Sequence, residues 1–135
     1  MQTSKVVYQG NLRTIATHIR SGSHFITDAP VDNKGKGEAF SPTDLTATSL
    51  AACIITTMAI GADARNIDLE KAEAYVLKIM EANPRRIGEI QIELKMRILP
   101  DNDKNRETLE DIGLNCPVAR SLHPDLKQTI SFLYI

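Results

Sequence analysis

Ser41-Pro42-Thr43-Asp44-Leu45-Thr46-Ala47-Thr48-Ser49-Leu50-Ala51-Ala52-Cys53 is the stretch on which the reading of this chain turns. Ser41 can cap a helix, Pro42 suits its first position, and Asp44, three residues after Ser41, completes a capping box. A helix therefore starts sharply at Pro42. It stays apolar to about Ala64, interrupted by Thr46, Thr48, Ser49, Thr56 and Thr57 and closed by Asp63 and Arg65. A membrane span needs roughly 20 predominantly apolar residues, and the hydroxyls make one side of this helix too polar for that. The stretch reads as a central core helix carrying a cysteine in its middle.

Upstream, the pattern alternates like strands. Lys5 to Gln9, Leu12 to Ile19 and His24 to Thr27 are β-like runs, separated by Gly10-Asn11 and by Ser21-Gly22-Ser23. Such turn residues between short strands predict an antiparallel meander. Asp28 to Phe40, with Pro30, Asp32, Asn33, Gly35 and Gly37, is a polar loop of a length usually kept for function. Downstream, Lys71 to Met80 and Ile87 to Leu99 read as two longer strands joined by Asn83-Pro84-Arg85-Arg86. In the second, Ile90, Ile92, Leu94, Met96 and Ile98 alternate with Glu89, Gln91, Glu93, Lys95 and Arg97, so one face is buried and one wet. Pro100 to Asp103 breaks the run. A polar helix from about Asn105 to Leu114, a short helix opening at Cys116-Pro117, and a last strand from Gln128 to Ile135 complete the chain.

This order of elements predicts an α+β fold with antiparallel sheets, in one domain spanning residues 1–135. Three short strands cannot bury a long helix that is apolar nearly all round. A second copy of the chain is the natural cover, which predicts a homodimer with an extensive interface. A net charge of −1 gives no electrostatic ground for a nucleic-acid or anionic-membrane partner, and the absence of Trp removes a base-stacking platform. The opening residues Met1 to Lys5 lack the apolar core of a signal peptide, and two cysteines in such a chain predict a reducing, cytoplasmic location.

Those cysteines, Cys53 and Cys116, are the chain's candidate chemistry. Helical periodicity puts Thr46, Ser49, Leu50, Thr56, Thr57 and Ile60 on the Cys53 side of the helix, a lining of hydroxyls and aliphatics without charge. Such a site raises a thiol's pKa unless a cation arrives from elsewhere, and a buried core cysteine is the plain alternative. Cys116, just before Pro117, would sit at a helix N-cap where unpaired amides favour a thiolate, so it reads as the easier thiol to activate. No C-x-x-C occurs, and His18, His24 and His123 have no metal-knuckle spacing, so no metal site or cofactor is expected.

Ser41-Pro42-Thr43-Asp44-Leu45 through Ala51-Ala52-Cys53, followed by Asn115-Cys116-Pro117-Val118, resembles the OsmC/Ohr family of osmotically induced and organic-hydroperoxide-resistance proteins, in its OsmC-like branch. The resemblance runs along essentially the whole chain and includes the gap of 63 residues between the cysteines (116 − 53). It implies an intertwined α+β homodimer with two central helices and active sites at the subunit interface. It also implies a metal-free thiol peroxidase acting on organic hydroperoxides. Carried over by motif, Cys53 is the peroxidatic cysteine, Cys116 the resolving one, and an external dithiol, a lipoyl group in some members, the reductant. Arg20 corresponds to the thiolate-stabilising arginine, with Arg13 as fallback. Where active members carry an arginine-orienting glutamate ten residues before the peroxidatic cysteine, this chain has Thr43, and Glu38 is the candidate substitute. The alternative function is a non-catalytic dimer that binds a small apolar ligand at the same interface.

Overall fold

Asn11 and Leu12 both adopt left-handed backbone, with φ of 55° and 62°, and close the first hairpin. Positive φ at both central residues is what a two-residue turn needs to match the twist of its strands. Leu12 is thereby taken out of the strand its sequence suggests. The computed structural model describes residues 1–97 and 103–135, so Ile98, Leu99 and the expected break at Pro100 to Asn102 lie outside the described residues. It comprises two compact units, Met1–Thr46 and Ala47–Ile135.

In the first unit, β1 (Ser4–Gly10), β2 (Arg13–His18) and β3 (His24–Asp28) form an antiparallel sheet in that order. The reversal between β2 and β3 is tied by the His18 amide donating to the Ser23 carbonyl at 2.7 Å. The polar loop that follows is not open chain. It contains a 3-10 turn at Val31–Asn33, and its ends are joined by the Asp28 amide donating to the Phe40 carbonyl at 3.0 Å. A Cβ at Gly35 would lie 1.7 Å from the Ala29 carbonyl oxygen, so the loop's close approach to itself needs glycine there. The capping box forms as the sequence predicts. The Ser41 amide donates to Asp44 Oδ2 at 2.9 Å and the Asp44 amide to Ser41 Oγ at 3.1 Å, opening α1 (Pro42–Asp63).

The second unit holds the remainder of α1 with β4 (Glu73–Glu81), β5 (Arg86–Met96), α2 (Asp103–Leu114), α3 (Pro117–Ser121) and β6 (Lys127–Tyr134). β4 begins two residues later than its sequence pattern because Lys71, at φ 67°, is turn backbone. The strand order is β4-β5-β6. β4 and β5 are antiparallel, but β5 and β6 run parallel, Ile90 facing Gln128 and Leu94 facing Phe132. The expectation of purely antiparallel sheets is corrected at this one pair. The connection through α2 and α3 is long enough to return the chain in the same direction, as parallel pairing requires.

Ile90, Ile92, Leu94 and Met96 form the buried face of β5, and Ala47, Leu50, Ala51, Ile54, Met58 and Ala62 the buried stripe of α1. Each fully buried Leu, Ile or Met contributes about 1.5–3 kcal/mol relative to exposure. The opposite face of the sheet is wet, with Glu89 accepting from Thr129 Oγ1 at 2.6 Å and from Gln91 Nε2 at 3.2 Å. Two glycines let α1 and α2 come together. A Cβ on Gly61 would lie 2.9 Å from Ile112 Cδ1, and one on Gly113 would lie 2.7 Å from Met58 Cγ and 3.1 Å from Ile54 Cγ2. The Tyr134 hydroxyl, donating to Glu110 Oε2 at 2.8 Å beneath the Arg106 guanidinium, ties β6 to α2.

α1 is long and apolar enough to cross a membrane by length and composition, but its inner stripe is packed in this core. Its other face, Ser49, Ala52, Thr56 and Ile60, is exposed, Ile60 at 68%.

Candidate active site

Cys116 is placed by the end of α2. Its amide donates to the Gly113 carbonyl at 3.2 Å, and Pro117 then starts α3. Two side chains hold this turn from outside. Arg120 Nε donates to the Asn115 carbonyl, and Gln128 Nε2, from β6, donates to the Ala119 carbonyl, each at 3.0 Å. α3 is too short to be stable alone, so these anchors and the packing of Val118 and Ala119 against the core fix where its first amides point.

Those amides serve the two sulfurs. The Val118 amide acts to favour a thiolate at Cys53, and the Ala119 amide does the same at Cys116. Both cysteines are free, Cys116 buried and Cys53 half-buried, and each acts on the other's proton affinity. Thr57 Oγ1, one turn along α1, lies 3.9 Å from Cys53 Sγ. Burial acts to raise the Cys53 pKa, but the Val118 amide, the Cys116 thiol and the Thr57 hydroxyl together bring it below the ordinary thiol value. For Cys116, burial raises the pKa most; the Ala119 amide opposes it, and Cys53 adds to the rise, leaving the thiol above its ordinary value. The pair is therefore differentiated: its surroundings favour a thiolate at Cys53 and disfavour one at Cys116.

This reverses the sequence expectation that Cys116 is the easier thiol to activate. Cys116 does occupy the N-cap position but closes no regular capping bond, while the Val118 amide acts on both sulfurs. The charge expected from a cation is supplied in part by neutral donors. Thr57 was on the Cys53 side by periodicity, but nothing in the sequence distinguished it from Thr56. Val118 contributes through its backbone, which leaves no side-chain signal.

The arginines lie in the first unit. Arg20 is in the exposed turn after β2. Arg13, directly across from Asp28 in the β2–β3 register, donates through Nε and Nη2 to the two Asp28 oxygens at 2.7 and 2.8 Å. Its Nη2 also reaches Glu38 Oε1 at 3.2 Å, and the Glu38 amide donates to Asp28 Oδ2 at 3.1 Å. The Arg13 hydrogen bonds hold the Asp28 carboxyl below its usual range. Asp28 was missed in the sequence, although its cross-strand position to Arg13 could have found it. Thr43 lies in the first turn of α1, its hydroxyl 3.2 Å from Ser41 Oγ. Among the described residues no cluster of three or more His, Cys, Asp or Glu side chains could hold a metal ion.

Residues 35–131 match the family described as OsmC-like protein. The chain belongs to that family. A protein of Psychrobacter arcticus 273-4, described as an osmotic stress induced and detoxification response protein, is 50% identical, with a TM-score of 0.93 over 98% of this chain and 96% of that one. An OsmC-like protein of Mycoplasma pneumoniae (20% identity, TM-score 0.77, 98% and 95% coverage) shares the OsmC-like fold. So does an organic hydroperoxide resistance protein OsmC of Legionella pneumophila (19%, 0.72, 98% of both chains). No curated protein matches the chain in sequence.

Proposed function

We propose that this OsmC-like chain is a thiol-dependent peroxidase that reduces organic hydroperoxides. The observation that carries the reading is the pair of free thiols where α1 meets the start of α3, each acting on the other and shifted in opposite directions, Cys53 lowered and Cys116 raised. A nucleophile needs thiolate character, and a resolving thiol needs to wait beside it. Cys53 thiolate attacks the terminal peroxide oxygen; the O–O bond breaks, the alkoxide takes a proton and leaves as the alcohol, and Cys53 becomes a sulfenic acid. Cys116 then forms the disulfide with loss of water. An external dithiol returns both thiols and is itself oxidised to its disulfide. The apolar side chains packed around the pair favour an alkyl hydroperoxide over hydrogen peroxide.

Arg20 is the arginine assigned to thiolate stabilisation by resemblance, and its exposed turn leaves the guanidinium accessible. Arg13 is the alternative, favoured by its carboxylate partners Asp28 and Glu38. Alanine at each position separates them, since the variant that raises the Cys53 pKa marks the acting arginine. The uncovered face of α1 supports a homodimer, and two free thiols suit a reducing compartment such as the cytoplasm. Thr43, where active relatives carry a glutamate, favours a second reading, a non-catalytic dimer holding a small apolar ligand. Mass spectrometry after one equivalent of cumene hydroperoxide decides between them: the peroxidase yields a Cys53–Cys116 disulfide, and the ligand-binding reading predicts slow thiol oxidation with binding that survives Cys53→Ser.

A further inference from the structure

Threonines inside helices usually direct the hydroxyl to the carbonyl one turn back, as Thr46 does to Pro42 at 3.3 Å. At Thr57 the group one turn back is the Cys53 side chain, with Oγ1 3.9 Å from Sγ. A β-branched Thr has two main rotamers in a helix, and the one adopted here sets the hydroxyl towards the sulfur. We propose that Thr57 is a positioning residue for Cys53, its hydroxyl donating to the thiolate from the next turn of α1.

The assignment deepens the peroxidase reading and takes its chemical purpose from it. The donors come from two elements, α1 and the start of α3, so together they restrict the direction in which the thiolate's remaining lone pairs point. The groups acting on Cys53 are the Val118 amide, the Cys116 thiol and the Thr57 hydroxyl, of which Cys116 alone titrates. Thr57 is thus the one donor in the set that can be removed without touching the backbone or the second thiol.

The test is the pH profile of Cys53 alkylation by iodoacetamide in the full-length chain, followed on the Cys53 peptide. Thr57→Val keeps size and branching and removes the hydroxyl. Its midpoint is expected about half to one pH unit above that of the parent chain, with alkylation about three- to tenfold slower well below the parent midpoint and an unchanged rate on the alkaline plateau. Thr57→Ser, which restores the donor, is expected to return the midpoint. A Thr57→Val profile that superposes on the parent, or equal shifts in the Val and Ser variants, overturns the proposal. Should circular dichroism show Thr57→Val unfolded, Thr57→Ala is read against Thr57→Ser by the same criterion. Alkylation requires neither peroxide nor reductant. A chain that shows the shift but leaves cumene hydroperoxide intact would lose the peroxidase reading and keep this one.

Discussion

Cys53 and Cys116 act on each other's sulfur, which lowers the proton affinity of Cys53 and raises that of Cys116. Two chemically identical side chains thus acquire different proton affinities from their surroundings, α1 and the Val118 amide on one side and the buried turn after α2 on the other.

Removing one thiol should expose its effect on the other. In Cys116→Ala the donor to Cys53 is gone, and the Cys53 midpoint is expected to rise by about half to one pH unit in an alkylation profile. Below that midpoint the variant reacts more slowly with hydroperoxide. Once oxidised, its sulfenic acid has no internal partner, so it should be trapped by dimedone and proceed to sulfinic acid under excess peroxide. A variant that reacts at the parent rate across pH would contradict the contact's importance.

Asp28 provides an acid-side signature. Its folded pKa is depressed, first by the hydrogen bond from Arg13. The stability it contributes is therefore complete above the unfolded carboxylate value of about 3.9 and is lost as pH falls through the lower folded value. Asp28→Asn should be less stable than the parent at pH 7 and show a smaller loss of stability between pH 5 and 2 (about the range over which such groups titrate). Denaturant unfolding across that range measures both.

Gly113→Ala should cost about 1–3 kcal/mol of stability, because the new methyl meets Met58 Cγ at 2.7 Å and Ile54 Cγ2 at 3.1 Å. The same substitution on an exposed helix surface would be favourable by about 1 kcal/mol. Urea unfolding of the two kinds of variant gives the sign directly.

The exposed face of α1 can be tested with a charge. Ile60→Glu places a carboxylate on a side chain that is 68% exposed, so the isolated fold should tolerate it, within about 0.5 kcal/mol. If a second copy covers this face, the variant should sediment as a monomer where the parent sediments as a dimer. Identical sedimentation of the two would remove α1 from the interface.

Much of the fold was legible where local chemistry is sufficient. Ser41 and Asp44 announce a helix start because the capping box involves only neighbours, and Ile90 to Met96 announce a half-buried strand because alternation is a property of the strand itself. The direction in which β6 joins β5 was not legible, since it depends on how α2 and α3 return the chain. The same limit applies to the candidate site. Cys53 and Cys116 stand out by residue type and motif, whereas the Val118 amide has no side-chain identity to read. Asp28 looked like the start of a loop, and only its register opposite Arg13 makes it the holder of that guanidinium.

The raised proton affinity of Cys116 has one more consequence for the proposed cycle. When the sulfenic acid on Cys53 is displaced, its hydroxyl must depart as water, and hydroxide is a poor leaving group from sulfur. A resolving thiol whose pKa is raised arrives with the required proton still attached. The step thereby balances within the pair: the Cys116 proton and the Cys53 hydroxyl leave together as water, and the Cys116 sulfur gives that proton up as it attacks.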